Sequence, residues 1–277
     1  MEACWSCGCP TTPSARLAPL PFLACSSCGF AQRDDRDLDH YTEGGYEEEW
    51  SGEYAAGASL EDRRRDARVR LDWIGDRIPP GGTVLDVGAA GGAFVEQAGL
   101  RGLRAWGIEP APAFVRHARE VLGVDVREGL VQDHPLPAGE LDAITMWHVL
   151  EHVAEPAGIL ADLRAALRPG GVLCVEVPNA DSAVARALGL DWPGLQPEVH
   201  VGQYTPQALC RLLERLGFAV LELSTAPSHV YFTRRDRLGP RNLLHRARFD
   251  WVSRPRPGRA AGAHDLLRAV AAPRPGA

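Results

Sequence analysis

Apolar segments with the length of β-strands alternate with helical segments from Thr83 onward, and no other feature constrains the fold of this chain more strongly. Consecutive strands that are joined through helices pair in parallel, because an antiparallel hairpin needs only a short turn. The alternation therefore predicts an α/β fold, with a parallel sheet covered by helices on both faces. The predicted strands are TVLDVG, RAWGIE, VDVRE, LDAITMW and GVLCVEVP, and the predicted helices cover about residues 94–100, 113–122 and 156–167.

The segments on either side of this core carry weaker local signals. Ser59 with Asp62 is typical of a capped helix start, and it opens the predicted helix LEDRRRDARVRLDWIGDRI. The predicted helix TPQALCRLLERLGF ends near Gly217, and the apolar segments AVLELST and HVYFTRR that follow are close enough for an antiparallel hairpin. Residues 239–277 have low complexity and are predicted to form a basic, largely disordered tail, apart from a short helix at 265–270.

Composition and charge narrow the functional classes. The 277 residues are 45% hydrophobic and 24% charged, which is typical of a globular protein. No apolar run approaches the roughly 20 residues that cross a bilayer, and MEACWSCGCP does not resemble a signal peptide, so a cytoplasmic location is expected. The net charge is −6, although eleven arginines stand against three acidic residues from Arg234 onward. The acidic body argues against nucleic acid as a partner.

The turn after the first predicted strand, DVGAAGG, has the features of a ligand-binding loop. Gly88, Ala90 and Gly92 are small enough to let the backbone approach a ligand, but their spacing is not that of a dinucleotide fingerprint. A carboxylate at Asp86 would repel a pyrophosphate and attract a positively charged group. Glu109 ends the second strand, where its oxygens can accept both hydroxyls of a ribose. These residues together predict a cationic nucleoside as the ligand.

Two cysteine pairs near the N-terminus predict a metal site. CWSCG and CSSCG place Cys4, Cys7, Cys25 and Cys28 as two knuckles, and four thiolates in this pattern form a closed structural zinc site rather than a catalytic one. A pair of disulfides is the alternative, which the cytoplasmic setting and the odd Cys9 disfavour. We therefore expect a small zinc ribbon over residues 1–38, followed by a polar linker or lid over residues 39–58.

The motifs resemble those of the class I S-adenosylmethionine-dependent methyltransferases. The resemblance rests on DVGAAGG, with Ala90 in place of the family's middle glycine, and on GIEPAPAFV, LDAITMWHVLEHV and LRPGGVLCVEVPN in the family's order. It implies a Rossmann-like seven-stranded sheet, parallel with one antiparallel strand, over residues 59–238. It also implies that the cofactor S-adenosyl-L-methionine binds to Asp86, Gly88, Ala90, Gly92, Glu109, Leu130, Val131, Trp147 and His148.

The catalytic groups are expected at the ends of the fourth and fifth strands, because methyl transfer mainly requires alignment of the acceptor and removal of its proton. HVLEHV supplies His148, Glu151 and His152 there, and His152 is the preferred general base because an imidazole can accept a proton at neutral pH. Structural roles for Glu151, as a helix cap, and for His152, in packing, remain open. Asn179 and His200 are secondary candidates, with turn formation and a backbone hydrogen bond as their alternatives.

The combination of a zinc ribbon and this domain resembles bacterial methyltransferases that act on surface-polysaccharide sugars and in natural-product pathways. This resemblance implies a small-molecule acceptor, either a sugar or a natural-product scaffold. The ribbon and the segment from Tyr41 to Tyr54 would cover the acceptor pocket, with Tyr41 or Tyr46 in contact with the ligand. An RNA methyltransferase is an alternative that the three arginines and five acidic residues of 1–39 disfavour. A regulatory protein that binds S-adenosylmethionine without turnover is the other alternative.

Overall fold

The computed structural model describes residues 2–34, 58–227 and 264–275, which form two β-sheets and the helices that pack on them. The strands are β1 Thr12–Pro13, β2 Phe22–Ala24, β3 Ala31–Arg33, β4 Thr83–Val87, β5 Arg104–Glu109, β6 Val126–Glu128, β7 Leu141–Trp147, β8 Leu167–Pro178, β9 Gly202–Gln203, β10 Phe218–Ala226 and β11 Leu266–Pro273. The helices are α1 Ala58–Ile74, α2 Ala93–Leu100, α3 Pro112–His117, α4 Ala157–Ala166, α5 Ala183–Leu188 and α6 Pro206–Arg215. Short 3₁₀ turns follow at Gly75–Arg77, Val131–Asp133, Leu150–His152 and Gly189–Asp191, and Ala118–Leu122 is a π-helical turn.

The larger sheet has seven strands in the order β10-β11-β8-β7-β4-β5-β6. The pairs among β4, β5, β6, β7 and β8 are parallel, whereas β11 runs antiparallel to both of its neighbours. The predicted seven-stranded α/β sheet with one antiparallel strand is therefore confirmed. Chain order reverses between β4 and β7, so a crevice forms at the carboxyl ends of these central strands, where ligands of such sheets bind.

Continuous apolar runs explain why β4 and β7 lie at the centre of the sheet. Every residue of β7 is buried, and four of the five residues of β4 are buried, because helices cover both faces. The polar residues of these strands, including Asp86 and Thr145, are consequently confined to positions with hydrogen-bond partners. Among the described residues, the helices are all too short or too polar to span a bilayer.

The C-terminal part of the chain corrects two predictions. Leu266–Pro273 is not a short helix in a disordered tail but the strand β11, which fills the slot between β8 and β10. Leu267, Ala269 and Ala271 are fully buried there, so the folded domain extends beyond the predicted boundary at residue 238. The prediction was wrong because a short alanine-rich segment has no pattern of its own, and only its two neighbouring strands define its conformation. The segment HVYFTRR lies outside the described residues.

The N-terminal module is packed against the larger domain rather than joined to it by a linker alone. Its three short strands continue into β9, which belongs to the larger domain, in a four-stranded antiparallel sheet. The ring of Phe30 lies 4.8 Å from that of Tyr204, and the Thr205 hydroxyl donates to the carbonyl of Cys28 over 2.8 Å. The predicted linker or lid, apart from its last residue, lies outside the described residues, and the predicted cap Ser59 lies within α1, one residue after its start.

Candidate active site

The glycine-rich turn after β4 is held by local packing as well as by its backbone conformation. Gly88 and Gly92 have φ angles of +70° and +83°. A Cβ atom on Gly88 would lie 2.4 Å from the side chain of Val149, and one on Gly92 would lie 2.7 Å from Val124. Glycine is therefore required at both positions by the fold itself. Val149 also brings the turn after β7 directly against the predicted cofactor loop.

Ala90 has a φ of +46°, a left-handed conformation that an alanine adopts at a cost. We expect Ala90→Gly to raise the free energy of unfolding by about 1 kcal/mol, because relief of this strain exceeds the added entropy of the unfolded chain. Urea denaturation at equilibrium measures the change. The matched control is Ala93→Gly in the first turn of α2, which should lower stability because no strain is relieved there. A loss of stability in Ala90→Gly would contradict the prediction.

Asp86 lies at the end of β4 and is buried. The hydroxyl of Thr145 donates to its Oδ1 over 2.6 Å. Burial raises the pKa of Asp86 to about 7, with a further increase from the charge of Glu109, although the hydrogen bond from Thr145 acts in the opposite direction. A positively charged ligand group beside Asp86 would favour its ionised form. The role of Asp86 as the partner of a cationic ligand group stays a prediction.

The raised pKa of Asp86 should make the free energy of unfolding depend on pH. Between the ordinary pKa of 3.8 and about 7, the folded protein keeps a proton that the unfolded chain has lost, so the contribution of Asp86 to stability falls as the pH rises. We expect the stability of Asp86→Asn relative to the wild type to increase by roughly 2–4 kcal/mol from pH 4 to pH 8. Denaturation of both proteins across this range measures it. A pH-independent difference would show that Asp86 is ionised in the folded protein throughout.

Glu109, at the end of β5, is also buried. It accepts the backbone N–H of Ala90 over 2.9 Å and that of Ala111 over 3.0 Å, so it links the glycine-rich turn to the loop after β5. A carboxylate oxygen accepts more than one hydrogen bond, and these contacts are compatible with ribose hydroxyls as additional donors. The hydrogen bond to Glu109 therefore helps to hold Ala90 in its strained conformation, and the sequence did not indicate this contact.

The remaining predicted cofactor residues lie on the same edge of the sheet. Leu130 and Val131 follow β6, and the N–H of Gly129 donates to the carbonyl of Glu109, which places this loop beside β5. Leu130 is 45% exposed, whereas Val131 is buried in the core, so only Leu130 presents an apolar surface to the outside. Trp147 is buried against Phe94 and against α1, which makes it primarily a packing residue.

His148 joins the ends of β7 and β8. It has a φ of +57°, its Nδ1 lies 3.2 Å from Glu151 and its Nε2 lies 3.3 Å from Glu176. Burial alone would lower the pKa of His148, but the hydrogen bonds to Glu151 and Glu176 outweigh it and raise the pKa to about 9. A charged His148 between two carboxylates is a positioning group rather than a base.

Glu176 was missed by the sequence analysis, although a glutamate within the apolar strand GVLCVEVP is a recognisable signal. It is fully buried, and its carboxylate contacts Arg70 of α1 and, over 2.6 Å, Arg268 of β11. Burial alone would raise its pKa, but the charge of Arg70, the hydrogen bond from His148 and the charge of Arg268 hold it well below the usual range. Glu176, Arg70, Arg268 and His148 form a charged cluster, the Glu176 cluster, which links α1, β8, β11 and the turn after β7.

Three further candidates lie next to His148. Glu151 and His200 are buried, His152 is half-buried, and the two imidazole rings are 4.6 Å apart in an edge-to-face arrangement. The structure thus brings together residues that are separated by 48 positions in the chain. Asn179 is used differently, because its side chain donates to the carbonyl of His264 and accepts from the N–H of Asp181. These contacts correspond to the turn-forming role.

The four knuckle cysteines also come together. The Sγ atoms of Cys4 and Cys28 are 3.6 Å apart, those of Cys7 and Cys25 are 3.5 Å apart, and all four side chains can reach one ion. All cysteines are free thiols. The separations match the edge of about 3.8 Å that a tetrahedron with Zn–S bonds of about 2.3 Å requires. The donor set therefore fits zinc, and Cys9 is not part of it.

Comparison with known proteins agrees with this geometry. A family model described as a methyltransferase domain matches residues 59–223. The chain is 30% identical over 171 residues to the ubiquinone biosynthesis O-methyltransferase of Aeromonas salmonicida (strain A449), with 56% of this chain and 71% of that protein covered. It is 36% identical over 125 residues to the corresponding protein of Xanthomonas campestris pv. campestris (strain B100), where 42% of this chain and only 51% of that protein are covered.

Solved structures show the same fold at low sequence identity. A chain from the complex of the Haloferax volcanii Trm112 methyltransferase activator with a methyltransferase superposes with a TM-score of 0.60 at 17% identity, covering 82% of this chain and 96% of the other. A SAM dependent methyltransferase from Archaeoglobus fulgidus gives a TM-score of 0.55 at 17% identity, with coverage of 75% and 93%. From the matched domain, the relatives and the sheet order, we conclude that this chain belongs to the class I S-adenosylmethionine-dependent methyltransferases.

Proposed function

We propose that the protein transfers the methyl group of S-adenosylmethionine to a hydroxyl group of a small-molecule acceptor, with Asp86 and Glu109 as the main cofactor-binding residues. The observation that carries the proposal is the pair of buried carboxylates at the adjacent ends of β4 and β5, where the N–H of Ala90 donates to Glu109 and the hydroxyl of Thr145 donates to Asp86. Asp86 suits the cationic methionine portion and Glu109 the ribose. Gly88, Gly92 and Leu130 complete the loop and the apolar edge around this pair.

The acceptor binds beside the turn after β7. Val149 lies against Gly88, and the next residues along the chain supply Glu151 and His152, so this turn is the nearest source of reactive groups to the cofactor loop. During transfer, an oxygen lone pair of the acceptor forms a bond to the methyl carbon while the C–S bond breaks and its electron pair remains on sulfur. The hydroxyl proton leaves toward His152, the general base that the sequence favours. The products are a methyl ether and S-adenosylhomocysteine.

Two observations support a hydroxyl-bearing acceptor. The curated relatives are named as ubiquinone biosynthesis O-methyltransferases, which favours oxygen as the acceptor atom. The resemblance to sugar and natural-product methyltransferases that we expect from the sequence of the N-terminal module favours a hydroxylated ring compound. Phenols and sugars are therefore the first two acceptor classes to examine.

We also propose that Cys4, Cys7, Cys25 and Cys28 hold one structural zinc ion. Bound zinc would stabilise the short strands of the N-terminal module, which bury too little surface to fold alone. Because β3 pairs with β9, and His200 lies two residues before β9, the module positions the loop that carries His200. The zinc therefore acts on the acceptor site through the backbone and not through its own chemistry.

Isothermal titration of the zinc-loaded protein with S-adenosylmethionine tests the proposed function. We expect binding of S-adenosylmethionine and of S-adenosylhomocysteine, no binding of NAD, and a loss of affinity of at least about tenfold in Glu109→Ala, since a buried charge-assisted contact is removed. Glu128→Ala, on the exposed end of β6, is the matched control. Unchanged affinity in Glu109→Ala would overturn the assignment of the pocket. Mass gain of one methyl group on a phenol or sugar then identifies the acceptor class.

A further inference from the structure

The cluster formed by Glu151, His152 and His200 contains more coordinating groups than proton removal requires. Glu151 and His152 come from the turn Leu150–His152, and His200 comes from the loop before β9. One donor atom from each side chain lies within 4.8 Å of those of the other two. Two imidazoles and one carboxylate at such separations are the ligand set of many catalytic metal sites.

The hydrogen bonds of the two imidazoles fix their tautomers. The Nδ1 of His152 lies 3.0 Å from the carbonyl of Val199, and the Nδ1 of His200 lies 3.0 Å from the carbonyl of Gly194. A carbonyl oxygen can only accept, so each Nδ1 carries a proton, and in the neutral ring each Nε2 then carries a lone pair. Metal-binding histidines are usually oriented in this way, with the second ring nitrogen donating to a carbonyl or a carboxylate.

The carboxylate of Glu151 supplies an independent observation. Its side chain is fully buried, and its Oε1 lies 3.2 Å from the Nδ1 of His148. Its Oε2 is buried without a hydrogen-bond partner among the described residues. An unsatisfied buried carboxylate oxygen is costly, and native structures rarely retain one without a reason. A cation beside Oε2 would satisfy this oxygen.

We propose that Glu151, His152 and His200 bind a divalent transition-metal ion of the zinc type at the acceptor end of the active site. The nitrogen-rich donor set suits zinc, cobalt or iron(II) and does not suit magnesium or calcium, which prefer oxygen ligands. Three protein ligands leave a coordination position open, unlike the four cysteines of the N-terminal site.

The role of the ion rests on the proposed function, because it follows from the position of the cluster beside the cofactor loop. An oxygen of the acceptor would occupy the open coordination position, and the ion would favour the deprotonated form of that hydroxyl. In this arrangement Glu151, His152 and His200 hold the ion instead of accepting the proton, which is lost to solvent, and His148 orients Glu151. The acceptor is then a molecule with a hydroxyl group that can coordinate a metal.

Zinc stoichiometry tests the proposal without relying on activity. The full-length protein is equilibrated with excess Zn²⁺, freed of unbound ion by gel filtration, and analysed by inductively coupled plasma mass spectrometry. We expect two zinc ions per chain in the wild type and in the control His134→Asn, whose ring lies on the loop after β6. Glu151→Gln and His200→Asn should each retain one. One zinc ion in the wild type, or two in both cluster variants, would overturn the proposal.

Cobalt binding gives a second measurement that needs no variant. When Co²⁺ is added to wild-type protein whose cysteine site already holds zinc, nitrogen and oxygen ligation should produce d–d absorption without thiolate charge-transfer bands. Absence of such absorption would overturn the proposal even if the variants failed to fold.

Titration with S-adenosylmethionine separates the hypothesis of the second metal site from the hypothesis of methyl transfer. Binding of the cofactor by a protein with one zinc ion rejects the metal site alone, and two zinc ions without cofactor binding reject the proposed function alone.

Discussion

Glu176→Gln is expected to lower the free energy of unfolding by about 3–5 kcal/mol, the effect of breaking a buried ion pair from one side. The carboxylate of Glu176 is the shared partner of Arg70, Arg268 and His148 in a region where the side chain of Glu176 is fully buried. A neutral amide removes the carboxylate that compensates Arg70 and Arg268, whereas His148 keeps its contact with Glu151. It also weakens the attachment of β11, which contributes Arg268, to the rest of the sheet. Chemical denaturation at equilibrium measures the change.

Glu222→Gln is the matched control for this prediction. Glu222 contacts Arg77 and accepts from the indole N–H of Trp73, but its side chain is 30% exposed. We expect a loss of at most about 1 kcal/mol, because solvent screens a partly exposed ion pair. Equal losses in the two variants would mean that the Glu176 cluster does not depend on burial, and would contradict the account given for it.

Removal of zinc is expected to have the second large effect, on methyl transfer rather than on cofactor binding. Cys4→Ser should reduce zinc binding at the cysteine site by at least about 100-fold, since a thiolate ligand is lost. The N-terminal module would then lose its order, together with the pairing of β3 to β9 and the position of His200. We expect the turnover rate to fall at least about tenfold while the affinity for S-adenosylmethionine changes less than about threefold, because Asp86 and Glu109 lie on other strands.

Cys9→Ser provides the control, because Cys9 neighbours the knuckles in sequence but is not part of the four-cysteine cluster. It should retain zinc and the wild-type rate. Circular dichroism and zinc analysis of both variants show whether the change is confined to the module. Unchanged turnover in zinc-free Cys4→Ser would contradict the proposed coupling between the zinc module and the acceptor loop.

Much of the central sheet could be predicted because its strands are short, mainly apolar runs between helical segments. The strands RAWGIE and LDAITMW have the predicted bounds, although LDAITMW is buried along its whole length and RAWGIE only at its last three residues. The strand Leu266–Pro273 could not be predicted, because its position depends on pairing with segments about 40 to 100 residues earlier in the chain. The contact between Glu176 and Arg268 could not be predicted for the same reason, since neither charge has a local partner.

The sequence by itself determined the motif residues of the candidate site. The small residues of DVGAAGG, the carboxylates Asp86 and Glu109 and the two cysteine knuckles are local patterns whose chemistry follows from residue type and spacing. Only the tertiary structure decided which distant side chains meet. His200 reaches His152 because β9 pairs with β3 of the N-terminal module, and Glu176 reaches Arg268 because β11 inserts between β8 and β10. Such contacts depend on pairing between segments far apart in the chain. The residue pattern of a single sequence does not show which distant segments pair.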